Sequence, residues 1–287
     1  MLPAKFLLLN LYYYGTCPYR WWYARTAAAR GRMPVVVLFY HRVCDDHAND
    51  WTTSNAAFDR HLDWLQRHVD LVSLEEAQQR IGAAGNTRPC VSLTFDDGYA
   101  ENCQHAIPRL AREKIPCTYF VTLHNVLTGE PFQHDAKAGF RGTPNTLAQL
   151  RDMAGAGIEI GAHTYTHPDF SRVRDPHVLH REVVVAREEL SELLGRPVRY
   201  FAVPIGMHPQ LSSALFEVAR QAGYDAVCSG YGGYNFPGDD PFHLQRIAVD
   251  DELLRLKNRV TIDPRKLFTP RFEPRLEVRE PCAAAGN

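Results

Sequence analysis

Residues 91–98 read Val-Ser-Leu-Thr-Phe-Asp-Asp-Gly, and this stretch decides the fold. Its apolar residues alternate with Ser92 and Thr94, which predicts a buried strand. Asp96 and Asp97 follow this strand at a glycine, where the chain can turn sharply. Because α/β proteins build active sites at the carboxyl ends of parallel strands, these carboxylates are candidates for metal binding and proton transfer. The alternative is a plain turn, since Asp-Asp-Gly is also a common turn composition.

A second segment places two histidines after another short apolar run. Residues 158–162 read Ile-Glu-Ile-Gly-Ala, and His163, His167 and Pro168 follow within His-Thr-Tyr-Thr-His-Pro. The chain has 13 histidines in 287 residues, so the spacing alone is weak evidence and the position after a strand carries the argument. One carboxylate and two neutral imidazoles with an open position make a hydrolytic metal site. Pro168 prevents the segment from continuing as a plain helix.

Strands and helices alternate along the chain, which indicates a parallel sheet. Strands are predicted at residues 35–41, 91–95, 117–122, 158–162, 200–203, 225–229 and 244–249. Helices are predicted at residues 54–67, 74–81, 102–113, 146–156, 177–194 and 210–222. A chain of 287 residues with 45% hydrophobic residues can bury one sizeable core without a second domain.

The two motifs, in this order and at this separation, resemble the first two motifs of the polysaccharide deacetylase superfamily, the NodB homology domain of carbohydrate esterase family 4. The resemblance covers roughly residues 88–250 and implies an α/β fold, a distorted, incomplete, TIM-like (β/α)7 barrel. It implies that Asp96 is the general base and that Asp97, His163 and His167 bind a divalent metal. The backbone N–H of Tyr99 would hold the oxyanion. Zinc is the expected metal, and cobalt, manganese, nickel or iron would fit the same ligands.

The resemblance implies a metal-dependent deacetylase that hydrolyses N-acetyl groups of a polysaccharide or of a lipid-linked glycan precursor. A bound metal suits this reaction, because an amide is a poor electrophile and water is a poor nucleophile at neutral pH. Two other functions stay open. One is hydrolysis of small non-sugar amides of the ureide or imide type, and the other is a non-catalytic glycan-binding homologue.

The third family motif departs from the usual pattern. Residues 201–206 read Phe-Ala-Val-Pro-Ile-Gly, and Ala202 stands where many members carry an arginine that orients the base. Ile205 stands in place of an aromatic residue, next to Pro204, which is a candidate substrate contact. Arg199 lies nearby and is a candidate replacement for the missing guanidinium, although a surface role is favoured for it.

The catalytic acid of the family, carried by a Leu-x-His motif, has no clear match. His41 and His243 are the two candidates, and His41 is favoured because it ends the first predicted strand. His134 and Asp135 are within reach of the site, but ordinary loop polarity is favoured for them. Two long loops, 128–145 and 230–240, are candidate substrate contacts. The second loop offers three aromatic residues for stacking on sugar rings: Tyr231, Tyr234 and Phe236.

The net charge and the cysteine content bear on the binding partners and on the cellular compartment of the protein. A net charge of −1 argues against nucleic acid as a partner. The acetylated glycan is the partner that the family resemblance implies. Seven cysteines without a Cys-x-x-Cys spacing do not resemble a disulfide framework. We therefore expect a reducing, cytoplasmic location, with membrane association as an option. The oligomeric state stays open.

Three regions are expected: an aromatic and basic segment at residues 1–33, the catalytic domain at 34–263 and a tail at 264–287. The first segment has five cations and no acid, and its aromatic residues cluster among arginines. A peripheral membrane anchor, packing on the barrel and a secretory signal are the three interpretations. The tail is rich in proline and arginine and is expected to be extended or disordered.

Overall fold

The computed structural model describes residues 3–137 and 139–274, and a ring of parallel strands lies at its centre. The seven strands of this ring are β1 (Val35–Tyr40), β2 (Cys90–Phe95), β3 (Cys117–Val121), β4 (Glu159–Ala162), β5 (Tyr200–Ala202), β6 (Ala226–Ser229) and β7 (His243–Ala248). Neighbouring strands pair in chain order, and β1 closes the ring by pairing with both β2 and β7. The predicted seven-stranded barrel is confirmed.

The ring is distorted because its pairings differ in length. Strands β1 and β2 pair over their whole length, from Val35 opposite Cys90 to Tyr40 opposite Phe95. Strands β4 and β5 pair only where Ala162 lies opposite Phe201. An additional short strand, Asp70–Val72, pairs with the beginning of β2 on the edge that β3 occupies further along. Two more short strands, Arg42–Val43 and Thr52–Thr53, pair with each other.

Helices cover the outside of the ring. They are α1 (Pro3–Ala29), α2 (Asn55–His68), α3 (Leu74–Gly82), α4 (Ala106–Arg112), α5 (Leu123–Thr128), α6 (Gln133–Lys137), α7 (Leu147–Gly155), α8 (Pro176–His180), α9 (Ala186–Leu194), α10 (Ser213–Gln221) and α11 (Leu253–Val260). A π-helical turn, Arg181–Val185, joins α8 to α9. The sequence predicted this joined helix as one element at 177–194, and it missed α1, α5, α6 and α11.

The strands are buried on both faces, as expected for a parallel sheet covered by helices. All six residues of β1 are buried; Val36 and Leu38 join the apolar layer beneath the helices, whereas Val35 and Val37 pack inside the ring. Since side chains alternate along a strand, Phe39 continues the inward set toward the carboxyl end. Each fully buried side chain of this kind contributes roughly 1.5–3 kcal/mol to stability.

The two ends of the described chain pack against the barrel. Ala27 near the end of α1 clusters with Met33 and Ile262. Beyond the short 3-10 turn Pro264–Lys266, the ring of Phe272 stacks on that of Phe216, with centroids 5.4 Å apart. The predicted tail is therefore packed as far as residue 274, and residues 275–287 lie outside the described residues. In the described ranges no helix is long and apolar enough to cross a membrane.

Candidate active site

The carboxyl end of β2 turns sharply at two left-handed residues. Asp97 has a φ of +72° and Gly98 a φ of +97°. A Cβ atom at Gly98 would lie 3.1 Å from the Cγ1 atom of Val121, so both the conformation and the space favour glycine. Asp96 precedes this turn and continues the inward-facing side of β2, and both carboxylates are buried. The turn therefore directs two adjacent acids to two different sets of partners.

Asp97 and the two histidines of the second motif converge. The Oδ1 atom of Asp97 lies 3.5 Å from Nε2 of His163 and 3.3 Å from Nε2 of His167. One ligand atom from each of the three residues lies within 4.8 Å of the other two. Two ligands held at about 2.0–2.2 Å from a tetrahedral metal are themselves about 3.3–3.6 Å apart. The two distances from Asp97 therefore fit ligands of one divalent metal.

Burial and orientation support the same donor set. The Oδ1 atom of Asp97 is buried and has no hydrogen-bond partner, which is costly unless a cation occupies the space it faces. The Nδ1 atom of His163 lies 2.8 Å from the carbonyl oxygen of Ala202. When Nδ1–H donates to that oxygen, Nε2 presents its lone pair to Asp97 and the neighbouring histidine. Burial lowers the pKa of His163 to about 4, so its ring is neutral and able to ligate near pH 7.

A buried glutamate holds the loop that carries the histidines. The Glu182 carboxylate accepts hydrogen bonds from the backbone N–H groups of Tyr165 and Thr166, at 3.0 and 2.7 Å, and from the Thr166 hydroxyl at 2.7 Å. Glu182 lies in the π-helical turn between α8 and α9. Within the loop, the Thr164 hydroxyl accepts from the N–H of His167 at 2.8 Å. The loop is thus held both by hydrogen bonds to Glu182 and by a hydrogen bond within the loop itself. Glu182 was not among the residues predicted from the sequence.

Asp96 pairs with an arginine from the opposite end of the chain. Two guanidinium nitrogens of Arg246, on β7, donate to the two carboxylate oxygens of Asp96 at 2.6 and 2.8 Å. The Arg246 side chain is 1% exposed and also donates to the Thr94 hydroxyl and the Ser229 carbonyl, both at 3.1 Å. A bidentate pair fixes the plane of a carboxylate. Arg246 therefore occupies the orienting role that Ala202 leaves vacant, and sequence analysis missed it.

The electrostatic environment keeps both acids ionised. Burial acts to raise the pKa of Asp96, but the Arg246 guanidinium outweighs it and holds that pKa below its ordinary value. Burial likewise opposes ionisation of Asp97, but the neighbouring imidazoles of His134 and His167 hold its pKa well below the ordinary value. Near neutral pH both carboxylates are therefore ionised, so Asp96 is available to accept a proton and Asp97 to bind a cation.

His134 and Trp51 also reach the site. The Nε2 atom of His134 lies 3.5 Å from Oδ2 of Asp97 and 2.9 Å from the Tyr99 hydroxyl. Trp51 donates its indole N–H to Oδ1 of Asp135 at 3.2 Å, and its ring lies edge-on to His134. The prediction of ordinary loop polarity for His134 was wrong, because α6 folds back over the site. Trp51 carries no motif, and only the fold brings it here.

A cavity of about 210 Å³ opens above these residues. Its lining consists of Phe39, His41, Trp51, Asp96, Asp97, His134, His163, His167, Val203, Ile205 and Arg246. His41 is partly exposed on the wall of this cavity, beside Asp96, as expected for a candidate acid. Its catalytic role stays a prediction.

The structure corrects two candidate site residues. Arg199 directly precedes β5, at the amino end of the strand, where its guanidinium pairs with Glu159 and Glu75 at 3.1 Å. His243 is the first residue of β7, and its ring nitrogens lie 2.9 Å from the Ser229 hydroxyl and 3.1 Å from the Phe272 carbonyl. Burial lowers the pKa of His243 to about 3. Neither side chain lines the site. The surface role favoured for Arg199 therefore fits the structure, and the alternative roles of Arg199 in orienting the base and of His243 as the acid were wrong.

Tyr99 and Pro204 keep their predicted places beside the site. The bridge between Tyr99 and Pro144 uses the N–H groups of Ala100 and Asn145, which leaves the N–H of Tyr99 outside the pairing. Pro204 is buried, and its neighbour Ile205 is 54% exposed at the rim of the cavity with a φ of +63°. This φ is strained for a β-branched residue, and such strain concentrates at functional sites. The roles of Tyr99 and Pro204 in binding the oxyanion and substrate stay predictions.

Of the two loops expected to contact substrate, only the first reaches the cavity. Loop 128–145 contains α6 and supplies His134. In loop 230–240, Tyr234 is 2% exposed, and its hydroxyl donates to the Arg259 carbonyl and accepts from the N–H of Asp263, both at 2.7 Å. Tyr231 and Phe236 pack against the apolar layer around the barrel. Tyr234 therefore supports the fold and cannot stack on a sugar. Stacking by Tyr231 and Phe236, which are half-buried, stays a prediction.

Comparison with known proteins gives matches of one kind. A family model described as polysaccharide deacetylase matches residues 83–227. A chitooligosaccharide deacetylase of Bradyrhizobium sp. (strain ANU 289) is 27% identical over 161 residues, which cover 55% of this chain and 64% of the relative.

Solved structures match over most of the chain. IcaB from Ammonifex degensii is 27% identical with a TM-score of 0.63, and the match covers 80% of this chain and 97% of IcaB. The Streptococcus pyogenes deacetylase PplD, solved in complex with acetate, is 21% identical with a TM-score of 0.64. That match covers 76% of this chain and 93% of PplD and supports the fold.

Proposed function

Since the chain belongs to the polysaccharide deacetylase family, hydrolases that act on carbon–nitrogen bonds, we propose that it removes acetyl groups from N-acetylated sugars of a glycan with a bound divalent metal. The observation that carries this proposal is the convergence of Asp97, His163 and His167 around a buried, unpartnered oxygen, with Asp96 alongside and separately paired. Zinc is the metal we propose, because two imidazoles and one carboxylate are a common zinc donor set.

The size of the cavity favours a small reacting group on a larger substrate. Typical ligand pockets measure about 300–1,000 Å³, and the cavity of about 210 Å³ is smaller. It has room for an acetamido group and part of its sugar ring, so the rest of a polymer would lie outside. Its walls combine apolar side chains, Phe39, Val203 and Ile205, with the ionisable groups. The apolar part suits the acetyl methyl group.

The chain's own residues divide the chemistry between them. A metal held by Asp97, His163 and His167 would polarise the amide carbonyl and lower the pKa of water. Asp96 accepts the proton of the attacking water, and Arg246 holds the Asp96 carboxylate in one plane. The N–H of Tyr99 donates to the developing oxyanion.

The leaving amine requires a proton, because an amide anion cannot depart. We assign this proton to His41, which lies on the cavity wall at the end of the strand next to β2. His243 cannot supply it, since its ring is buried among Ser229 and Phe272.

The test is acetate release from N-acetylglucosamine oligomers by the zinc-loaded full chain. We expect acetate from the parent and at least about a 100-fold lower rate for Asp96→Asn, the range for losing a general base. Bound zinc should remain near one per chain in that variant. The matched control is Asp152→Asn, on the exposed side of α7, which should keep the parent rate.

Removing the Asp96 charge leaves the buried Arg246 unpaired, so lost stability must be separated from lost chemistry. The double variant Asp96→Asn/Arg246→Met should recover stability and stay inactive. Full turnover in Asp96→Asn would contradict the assigned base. A parent protein that binds zinc but releases no acetate from N-acetylated sugars would contradict the proposed reaction.

A further inference from the structure

Helix α1 is attached to the barrel along one face. Arg20 is 4% exposed and donates to the side-chain oxygen of Asn258 at 2.6 Å and to the carbonyl of Ile262 at 3.2 Å. About two turns toward the start of the helix, the Tyr12 hydroxyl donates to Asp263 at 2.6 Å. These bonds join α1 to the end of α11 and to the segment that follows it. The helix is therefore part of the fold, and its orientation is fixed.

The opposite face of α1 carries large apolar side chains that remain exposed. We call five of them the outward face: Leu7 (60% exposed), Leu11 (61%), Tyr14 (63%), Trp21 (64%) and Trp22 (55%). Phe6, Leu8 and Tyr19 are exposed as well but lie to the sides of this face. At 100° per residue, the spacing of the five residues places them on one stripe, opposite Tyr12 and Arg20. A contiguous apolar surface of this kind marks an interaction site, because single exposed apolar residues are common but continuous stripes are not.

The charges carried by the N-terminal segment that includes α1 have one sign. Residues 1–33 contain five cations and no acid. Arg20 is used internally, whereas Lys5, Arg25 and Arg30 are exposed. The guanidinium of Arg25 lies over the ring of Trp21, 4.8 Å from its centroid, so cation and apolar surface are presented together. A second copy of this chain would bring the same positive charges face to face, which disfavours self-association and favours an anionic occupant.

The surroundings of α1 also suit lipid. A cavity of about 690 Å³ lies between the first turns of α1 and α11, and its lining mixes Leu8 and Leu9 with Lys5, Arg255 and Lys266. Lys5 also lines a cavity with three acids, Asp250, Asp251 and Glu252, and with Leu253, which follow the carboxyl end of β7. The beginning of α1 therefore lies at the end of the barrel that carries the candidate active site.

We propose that the outward face of α1 binds the surface of an anionic lipid bilayer, with the helix lying in the plane of the interface. Tryptophan and tyrosine occupy the headgroup level of membranes, and arginines beside them attract anionic lipids. No helix in the described part of the chain is long and apolar enough to span a bilayer, so binding in the interface is the geometry that remains for α1. This inference is independent of the deacetylase reaction.

The test is co-sedimentation of the full chain with phosphatidylcholine vesicles that contain one-third phosphatidylglycerol. We expect binding to these vesicles and much weaker binding to pure phosphatidylcholine. Replacing Leu11, Trp21 and Trp22 together by glutamine should weaken binding at least tenfold. Replacing Lys5, Arg25 and Arg30 by glutamine should weaken it about fivefold for each charge, since each cation near an anionic surface contributes about 1 kcal/mol. The matched control is Leu127→Gln, an exposed leucine on α5, which should bind like the parent.

A second measurement locates the contact. Lipids with brominated acyl chains should quench the fluorescence of Trp21 and Trp22, and the variant Trp21→Phe/Trp22→Phe should bind while losing the quenching. Absence of binding to anionic vesicles would overturn the proposal, as would equal binding by the outward-face variant and the Leu127→Gln control. A dimer in solution that disappears in the outward-face variant, without vesicle binding, would assign this face to a second copy and also overturn it.

Discussion

Ionisable side chains of similar type have different surroundings at the two ends of the barrel. At the carboxyl ends of the strands, the carboxylates of Asp96 and Asp97 and the ring of His163 converge on a cavity, and Asp97 keeps a buried oxygen without a partner. At the amino ends, Arg199 and His243 use their polar atoms on neighbouring acids, a hydroxyl and a carbonyl. Residue type alone would place all of them in the site. Position along the strand decides which of them can act on a substrate.

The largest expected difference between the two ends concerns the histidines. His41→Gln should lower acetate release from N-acetylglucosamine oligomers about 100- to 10,000-fold, the range for losing a general acid. His243→Gln should change the rate less than about threefold, because its ring does not reach the cavity. The rates are measured on zinc-loaded protein at saturating substrate.

An activated ester sharpens this comparison. The leaving group of 4-nitrophenyl acetate departs without a proton, so His41→Gln should retain most of its activity on the ester, whereas Asp96→Asn should lose activity on both substrates. Equal losses on amide and ester in His41→Gln would remove His41 as the acid.

The two arginines should differ in stability. Arg246→Met leaves the buried Asp96 carboxylate unpaired, which costs about 3–5 kcal/mol of unfolding free energy. Arg199→Met removes ion pairs of a side chain that is 33% exposed, worth less than about 1 kcal/mol. Urea denaturation of both variants measures the difference. If both variants lost similar amounts of unfolding free energy, the buried Arg246–Asp96 pair would contribute no more to stability than the more exposed ion pairs of Arg199.

Replacing Glu182, which supports the site at the carboxyl end of the barrel, should have a smaller effect, and the quantity that changes is the affinity for zinc. In the Glu182→Gln variant an amide replaces the carboxylate that accepts from the backbone N–H groups of Tyr165 and Thr166. The NH₂ group of this amide is itself a donor and cannot accept those hydrogen bonds, so the loop that carries the two histidines is held less firmly. Supporting residues of this kind typically contribute 10- to 100-fold in metal affinity. Competition with a zinc chelator measures it, and Glu188→Gln on the exposed side of α9 is the matched control. Equal zinc affinity in the two variants would contradict the role of Glu182.

The pH dependence of stability should be the smallest of these effects. Burial lowers the pKa of His163 to about 4 and that of His243 to about 3, from an unfolded value near 6.5. Both pKa values are depressed, so the unfolded chain takes up these protons first. The full stability is present above pH 6.5 and falls as the pH is lowered toward 4. Thermal unfolding of metal-free protein should show this loss, and His243→Gln should reduce it. An unchanged pH profile in that variant would argue against a buried neutral His243.

The strands of the barrel were predictable because each is a short apolar run next to a turn. All seven lie within one residue of their predicted ends, from Val35–Tyr40 to His243–Ala248. Helix α1 was not predicted, because its apolar and aromatic residues are not confined to one face, and its inward face combines small apolar residues with a buried arginine.

The candidate metal ligands were predictable from two local motifs, but the residues that support them were not. Arg246 lies 150 positions from Asp96, and only the closure of the ring between β1, β2 and β7 brings them together. His134 reaches Asp97 through the fold of a loop, and Glu182 depends on a π-helical turn. Such contacts follow from strand register and loop geometry, which a single sequence does not specify.

The central claim is that Asp97, His163 and His167 hold one divalent metal and that Asp96 lies beside this metal without binding it. X-ray absorption of the zinc-loaded full chain tests it most directly, together with the zinc content of His163→Gln and His167→Gln. We expect one zinc per chain, with only nitrogen and oxygen ligands at about 2.0–2.2 Å and the signature of two imidazoles, and loss of tight binding in either variant. A zinc content unaffected by both substitutions, or a spectrum without imidazole scattering, would contradict the account.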